Sequence, residues 1–165
     1  MDKNHELGLV QVYTGNGKGK TTAALGLAFR AVGHGFRVHI IQFMKGSSYT
    51  GELKSAEKLS PLLTISRFGR KGFVHEGGPT QEDYELAGKA LQEARSFLEQ
   101  NSSGLLILDE IGNALRYQLI RVEELQTLIK DKPAQIELVL TGRGIPDEII
   151  EVTDLVTEMK EIKHP

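Results

Sequence analysis

A chain of 165 residues that is 39% hydrophobic and 25% charged has the length and apolar content of one folded domain, which excludes a disordered tail protein. Lys and Arg number 20 against 22 Asp and Glu, a net charge of −2, which argues against a nucleic-acid binder working by massed phosphate neutralisation. The lack of any cysteine removes disulfides, thiolate zinc sites, iron–sulfur clusters and cysteine nucleophiles together.

In chain order, residues 1–6 are charged and lack the apolar stretch of a signal peptide. No later run approaches the roughly 18 apolar residues of a spanning helix. The expectation is a soluble, cytoplasmic protein without a membrane partner. Residues 7–13 read as a first strand and 21–32 as a helix; RVHIIQF at 37–43 is a second strand. A short helix follows at 52–59 and a third strand at 62–68. The stretch GRKGFVHEGGPT at 69–80 holds four glycines and a proline, which forbid regular structure. Such a long loop reads as a lid or binding loop.

Pro79 and Thr80, with Asp83 three residues on, mark the start of a long helix at 81–100. GLLIL at 104–108 is a nearly continuous apolar run, suited to a strand buried on both faces. Helical patterning returns at 111–119 and 122–130, where Pro133 stops it. A fifth strand at 136–140, a short helix at 146–152 and a sixth strand at 155–162 complete the chain. Strands alternating with helices predict one α/β domain over residues 1–165. Its sheet is mostly parallel, with about six strands flanked by helices.

Between the first strand and first helix stands TGNGKGKTT, residues 14–22. A glycine-rich turn in that setting is a phosphate loop. Glycines let the backbone curl so that successive N–H groups face phosphate oxygens, and the following helix adds the positive end of its dipole. Gly15, Asn16, Gly17, Lys18, Gly19, Lys20, Thr21 and Thr22 are therefore the nucleotide candidates. Lys20 supplies a point charge for the terminal phosphates, and the Thr21 hydroxyl a magnesium ligand. The first glycine falls one place later than in the standard P-loop pattern, at Gly15 rather than at position 14. LLILDE at 105–110 adds an apolar strand ending in acid, so that Asp109 or Glu110 holds the metal directly or through water.

Lys45 and Arg143 each follow a strand's carboxyl end, where α/β proteins bind ligands. A solvated loop lysine and a polar turn are the plainer alternatives. No N-K-x-D signature of guanine-nucleotide switches is present, and the five histidines show no ligand spacing.

GNGKGKTTAALGLAFRAVGHG, QFMKG with GE nearby, LDE, and the block TGRGIPDEIIEVTDLVTEMKEIKHP together resemble the P-loop type of ATP:corrinoid adenosyltransferase. That resemblance runs from about Val10 to Pro165, and the family shares the shifted glycine. It implies a single-domain P-loop NTPase fold with a RecA-like parallel sheet, in a homodimer. It also implies transfer of the adenosyl group of ATP to the Co(I) of a reduced corrinoid, with release of triphosphate. Magnesium (or manganese) and an electron-donating flavoprotein accompany that activity. The family's nucleotide residues carry over onto Gly15 through Thr22, and its metal residues onto Thr21 and Glu110.

Phe73 matches the first member of the family's Phe-x-Trp pair, which displaces the corrinoid's lower ligand; His75 stands where Trp is usual. Ser47, Ser48 and Tyr49 follow FMKG where the family has a Trp, and IGNAL follows LDE where aromatic residues are frequent. The competing readings are a P-loop ATPase or ATP-dependent regulator, and a nucleotide- or corrinoid-sensing module without turnover.

Overall fold

The computed structural model describes residues 8–46, 49–70 and 77–165. Strands β1 (Val10–Thr14), β2 (Val38–Phe43), β3 (Leu63–Phe68), β4 (Ser103–Asp109), β5 (Gln135–Thr141) and β6 (Leu155–Glu158) form one sheet in the order β3-β2-β4-β5-β1-β6. Every pairing is parallel, so the expected mostly parallel sheet is wholly so. The helices are α1 (Lys20–Gly33), α2 (Gly51–Leu59), α3 (Gln81–Gln100), α4 (Ile111–Arg116), α5 (Val122–Asp131) and α6 (Asp147–Ile150).

The apolar run in β4 explains the layering. Side chains alternate along a strand with a period of two. Leu105 and Ile107 join Ala24, Ala28 and Ala31 of α1 in one core, and Leu106 and Leu108 join Leu91 of α3 and Leu125 and Leu128 of α5 in the other. Burial on both faces removes any need for polar alternation. Each such side chain contributes about 1.5–3 kcal/mol. The stripe of alanines on α1 keeps that helix close to the sheet, which sets its first turn beside the strand ends. No helix among the described residues is long and apolar enough to cross a membrane.

Boundaries depart from expectation where side-chain pattern alone does not decide them. The last strand stops at Glu158 rather than running to 162. Its partner β1 ends at Thr14, where the chain curls into the phosphate loop and leaves no ladder to extend. Helix α4 stops at Arg116 rather than 119 because Gln118 adopts a left-handed conformation (φ 55). Leu119 N–H then bonds the Ala114 carbonyl and Gln118 N–H that of Leu115, a Schellman stop without its usual glycine. At the start of α3, the Asp83 carboxylate accepts the Thr80 N–H at 2.8 Å, as the capping signature predicts.

Candidate active site

β2, β4, β5 and β1 are consecutive in the sheet, so their carboxyl ends form a row. That row carries Lys45, Asp109 with Glu110, Arg143, and the phosphate loop, in that order. Crevices at such strand ends are where open parallel sheets bind ligands.

The loop curls through Gly15 (φ 97) and Gly19 (φ 118), a left-handed backbone that side chains resist. Lys20 opens α1; it is buried and its Nζ donates to the Gly17 carbonyl at 2.7 Å. One expectation needs correcting. Not every loop amide faces inward, because Gly17 N–H donates to the Met159 carbonyl just beyond β6, at 2.7 Å.

A cavity of about 1040 Å³ opens over this loop. Asn16, Gly17, Lys18 and Lys20 line it from the loop, and Lys45, Glu110 and Arg143 from the neighbouring strand ends. Asn113, Arg116 and Tyr117 of the α4 region and residues 160–165 complete the wall. Gly15, Gly19, Thr21, Thr22 and Asp109 do not line it.

Asp109 is almost wholly buried (1% exposed) and saturated with donors. Its Oδ1 accepts the hydroxyls of Thr21 and Thr141, each at 2.7 Å. Its Oδ2 accepts the Lys45 ammonium at 2.7 Å and the Gln42 amide at 3.1 Å. Glu110, next in the chain, has a left-handed backbone (φ 64) that turns it out of the strand into the cavity wall. Its N–H donates to Thr141 Oγ1 and its Oε2 accepts from the Asn113 amide at 3.0 Å.

Electrostatics ties these groups together. Burial pushes the Glu110 carboxyl above the ordinary range, Asp109 adds to that, and Lys45, Lys20 and Arg143 oppose it. Burial lowers the Lys20 ammonium, the Arg143 charge adds to that, and Glu110 opposes it. Three cations and the Glu110 carboxylate thus share one cleft beside a phosphate loop, with the buried Asp109 carboxylate bonded to Lys45.

The structure therefore brings Lys20, Lys45, Asp109, Glu110 and Arg143 together with the loop. Phe73, His75, Ser47 and Ser48 lie outside the described residues. Sequence reading passed over Gln42, Thr141 and Asn113. The first two carried a signal: Thr141 closes the apolar strand β5, and Gln42 is a polar residue one place before the end of β2.

A phosphate loop on β1, acid at the end of β4, and a single strand between them define a P-loop nucleotide-binding protein of RecA-like build. Within that class, the chain belongs to the ATP:corrinoid adenosyltransferase family BtuR/CobO/CobP, which it matches over residues 6–165. It is 41% identical over 165 residues to a corrinoid adenosyltransferase of Sinorhizobium sp, covering 99% of this chain and 77% of that one. Identity to the corrinoid adenosyltransferase of Escherichia coli (strain K12) is 36% over 159 residues, 96% of this chain and 80% of the other. Salmonella typhimurium (strain LT2) corrinoid adenosyltransferase CobA is 34% identical, with the same shares covered. Among solved structures, a prototypical ATPase of the type III secretion system of pathogenic bacteria gives a TM-score of 0.48 at 16% identity, over 90% of this chain and 50% of that one.

Proposed function

We propose that this chain transfers the 5′-deoxyadenosyl group of ATP to the Co(I) centre of a reduced corrinoid and releases triphosphate. The observation that carries this reading is the convergence of Lys20, Lys45, Arg143 and the phosphate loop on one cavity, in a chain of this family. At about 1040 Å³ the cavity is at the top of the range for small-molecule sites, roughly 300–1,000 Å³. It has room for a nucleotide and for part of a second substrate.

The chemistry suits the residues. Co(I) is itself the nucleophile: the cobalt–carbon bond forms with the cobalt electron pair as the C5′–oxygen bond breaks, and that bonding pair leaves on triphosphate. No protein nucleophile is required. The protein's task is to position C5′ and to stabilise a leaving group that gains negative charge. Lys20 and Arg143 hold the triphosphate, with Asn16 and Lys18; Gly15 and Gly19 serve by letting the loop curl, and Gly17 by tying it to Met159. Thr22 follows Thr21 in the first turn of α1, whose dipole points at the same charge.

The donor set also fits a magnesium or manganese ion, which binds through few protein oxygens and the substrate's own phosphates. Thr21 would hold it through its hydroxyl oxygen while its O–H still donates to Asp109 Oδ1, with Glu110 reaching it from the cavity side. When bound, such an ion neutralises phosphate charge. Phe73 is proposed, on the family's pattern, to displace the corrinoid's lower ligand. Residues 1–165 acting as one domain, in a cytoplasmic homodimer served by an electron-donating flavoprotein, belong to the same reading.

The test is incubation with ATP, magnesium and chemically reduced cobalamin, followed by corrin absorbance. Light-sensitive adenosylcobalamin and triphosphate are expected. ADP and orthophosphate with unalkylated cobalt would replace this reading with an ATPase.

A further inference from the structure

A line of polar side chains crosses the strand ends from α2 to the phosphate-loop helix, and the reaction described above does not use its middle. At its centre is Gln42, fully buried on β2. A primary amide in such a place is costly unless hydrogen-bonded at both ends. Its two neighbours are set by register, since Gln42 stands opposite Arg67 of β3 on one side and Asp109 of β4 on the other.

The bonds orient the amide without ambiguity. Arg67 Nε can only donate, so the Gln42 oxygen faces it, at 2.7 Å. The Gln42 NH₂ is left facing Asp109 Oδ2, at 3.1 Å. Arg67 is fixed in turn by Glu52 Oε1 at 3.2 Å and by Thr50 Oγ1, at the start of α2.

Asp109 receives one charged donor and three neutral ones. The charged donor, Lys45, is only part-buried, on the chain that has already left β2. A buried carboxylate needs a counter-charge. A divalent cation arriving at Thr21 supplies one, and it repels an ammonium already in place. Once Lys45 leaves, Oδ2 keeps only the Gln42 amide.

We propose that Gln42, locked by Arg67, is a positioning residue that holds the Asp109 carboxylate in place while its cationic partner changes from Lys45 to the metal delivered with ATP. The exchange frees Lys45 for the triphosphate. This rests on the reading of the site as one for ATP and a divalent metal.

The experiment measures Mn²⁺ binding to the protein–ATP complex by electron paramagnetic resonance, and ATP binding without metal by calorimetry. Loss of a group that orients a metal site costs roughly 10–100-fold in affinity. Gln42→Leu is expected to weaken Mn²⁺ about tenfold and to leave metal-free ATP binding unchanged. Arg67→Met is expected to do the same, since it frees the amide, and Arg67→Lys to recover part of the loss. In turnover, the metal concentration for half-maximal rate rises while the rate at saturating metal stays within about twofold.

Wild-type Mn²⁺ affinity in Gln42→Leu overturns the proposal, and so does an equal loss of metal-free ATP binding. Should that variant fail to fold, Gln42→Glu keeps the Arg67 contact and turns an acceptor toward Asp109, with the same loss expected and the same result fatal. A wild-type protein that binds no ATP sinks the functional reading and this inference with it. Normal wild-type binding with unaffected variants sinks this inference alone.

Discussion

The Gly17 amide and the Met159 carbonyl are 2.7 Å apart, and the Met159 amide bonds back to the Thr14 carbonyl at 2.8 Å. The chain leaving the last strand is thus laced onto the phosphate loop from both sides. This makes Gly17 a residue of close approach: a Cβ there would lie 2.6 Å from the Met159 oxygen and 2.9 Å from the Lys160 carbonyl carbon. Those neighbours are backbone and cannot turn aside. Gly17→Ala is therefore expected to weaken ATP binding at least about tenfold, or about 1.4 kcal/mol, measured by calorimetry. Gly26→Ala, on α1 with nothing within 4 Å of the added carbon, is the contrast. It is expected to stabilise the fold by roughly 0.5–1 kcal/mol in denaturant titration.

Lys20 is held ready by its own loop. Its ammonium donates to the Gly17 carbonyl at 2.7 Å, and the residue lines the cavity. Lys20→Ala removes both the loop contact and the charge that meets the leaving group. Adenosyl transfer is expected to fall by roughly 10²–10³-fold, the usual cost of one donor at a developing anion. Near-normal turnover in that variant would refute its role.

The phosphate loop and the buried strand β4 were legible in the sequence because both are local signals. One is a run of glycines between a strand and a helix; the other is an apolar run with acid at its end. The family's blocks, spread over most of the chain, were legible for the same reason. What stayed hidden depends on register. Gln42 meets Arg67 and Asp109 only because β2 lies between β3 and β4, and nothing in QFMKG states that order. Thr141 likewise reaches Asp109 from a strand 32 positions away in the chain. The ends of β6 and α4 were misplaced because a ladder partner and a left-handed glutamine, not hydrophobic pattern, terminate them.

Gly112 shows the same dependence on packing. It lies in the first turn of α4 against the loop after β5, and a Cβ on it would lie 2.6 Å from the Arg143 oxygen and 2.9 Å from Gly142 Cα. Gly142 (φ 146) is equally tight from the other side. The two glycines let Glu110 and Arg143 share one cavity wall. Gly112→Ala is expected to cost about 1–3 kcal/mol of stability, as overpacking does. It should also raise the KM for ATP by displacing Arg143. An unchanged melting temperature together with an unchanged KM would show that the contact is not limiting.

Asp83 gives the fold an acid-sensitive joint at the start of α3. Its carboxylate caps α3 through the Thr80 N–H at 2.8 Å and receives Arg70 Nε at 2.8 Å. Burial alone would raise its pKa, but the bonds from Arg70 and Thr80 overcome burial and hold the carboxyl below its ordinary value. The unfolded chain, with an ordinary aspartate near pH 3.9, then binds the proton more readily than the folded one. The stabilisation is fully present above that value and is lost as pH falls through the lower, folded pKa. Asp83→Asn keeps the shape and removes the charge. At neutral pH it is expected to lose about 1.5–3 kcal/mol, typical of a hydrogen bond to a charged group. The gap between wild type and variant should close on acidification, in urea titrations taken from neutral pH down past the ordinary aspartate range. A gap that stays constant across that range would show that the Arg70 pair contributes shape rather than charge.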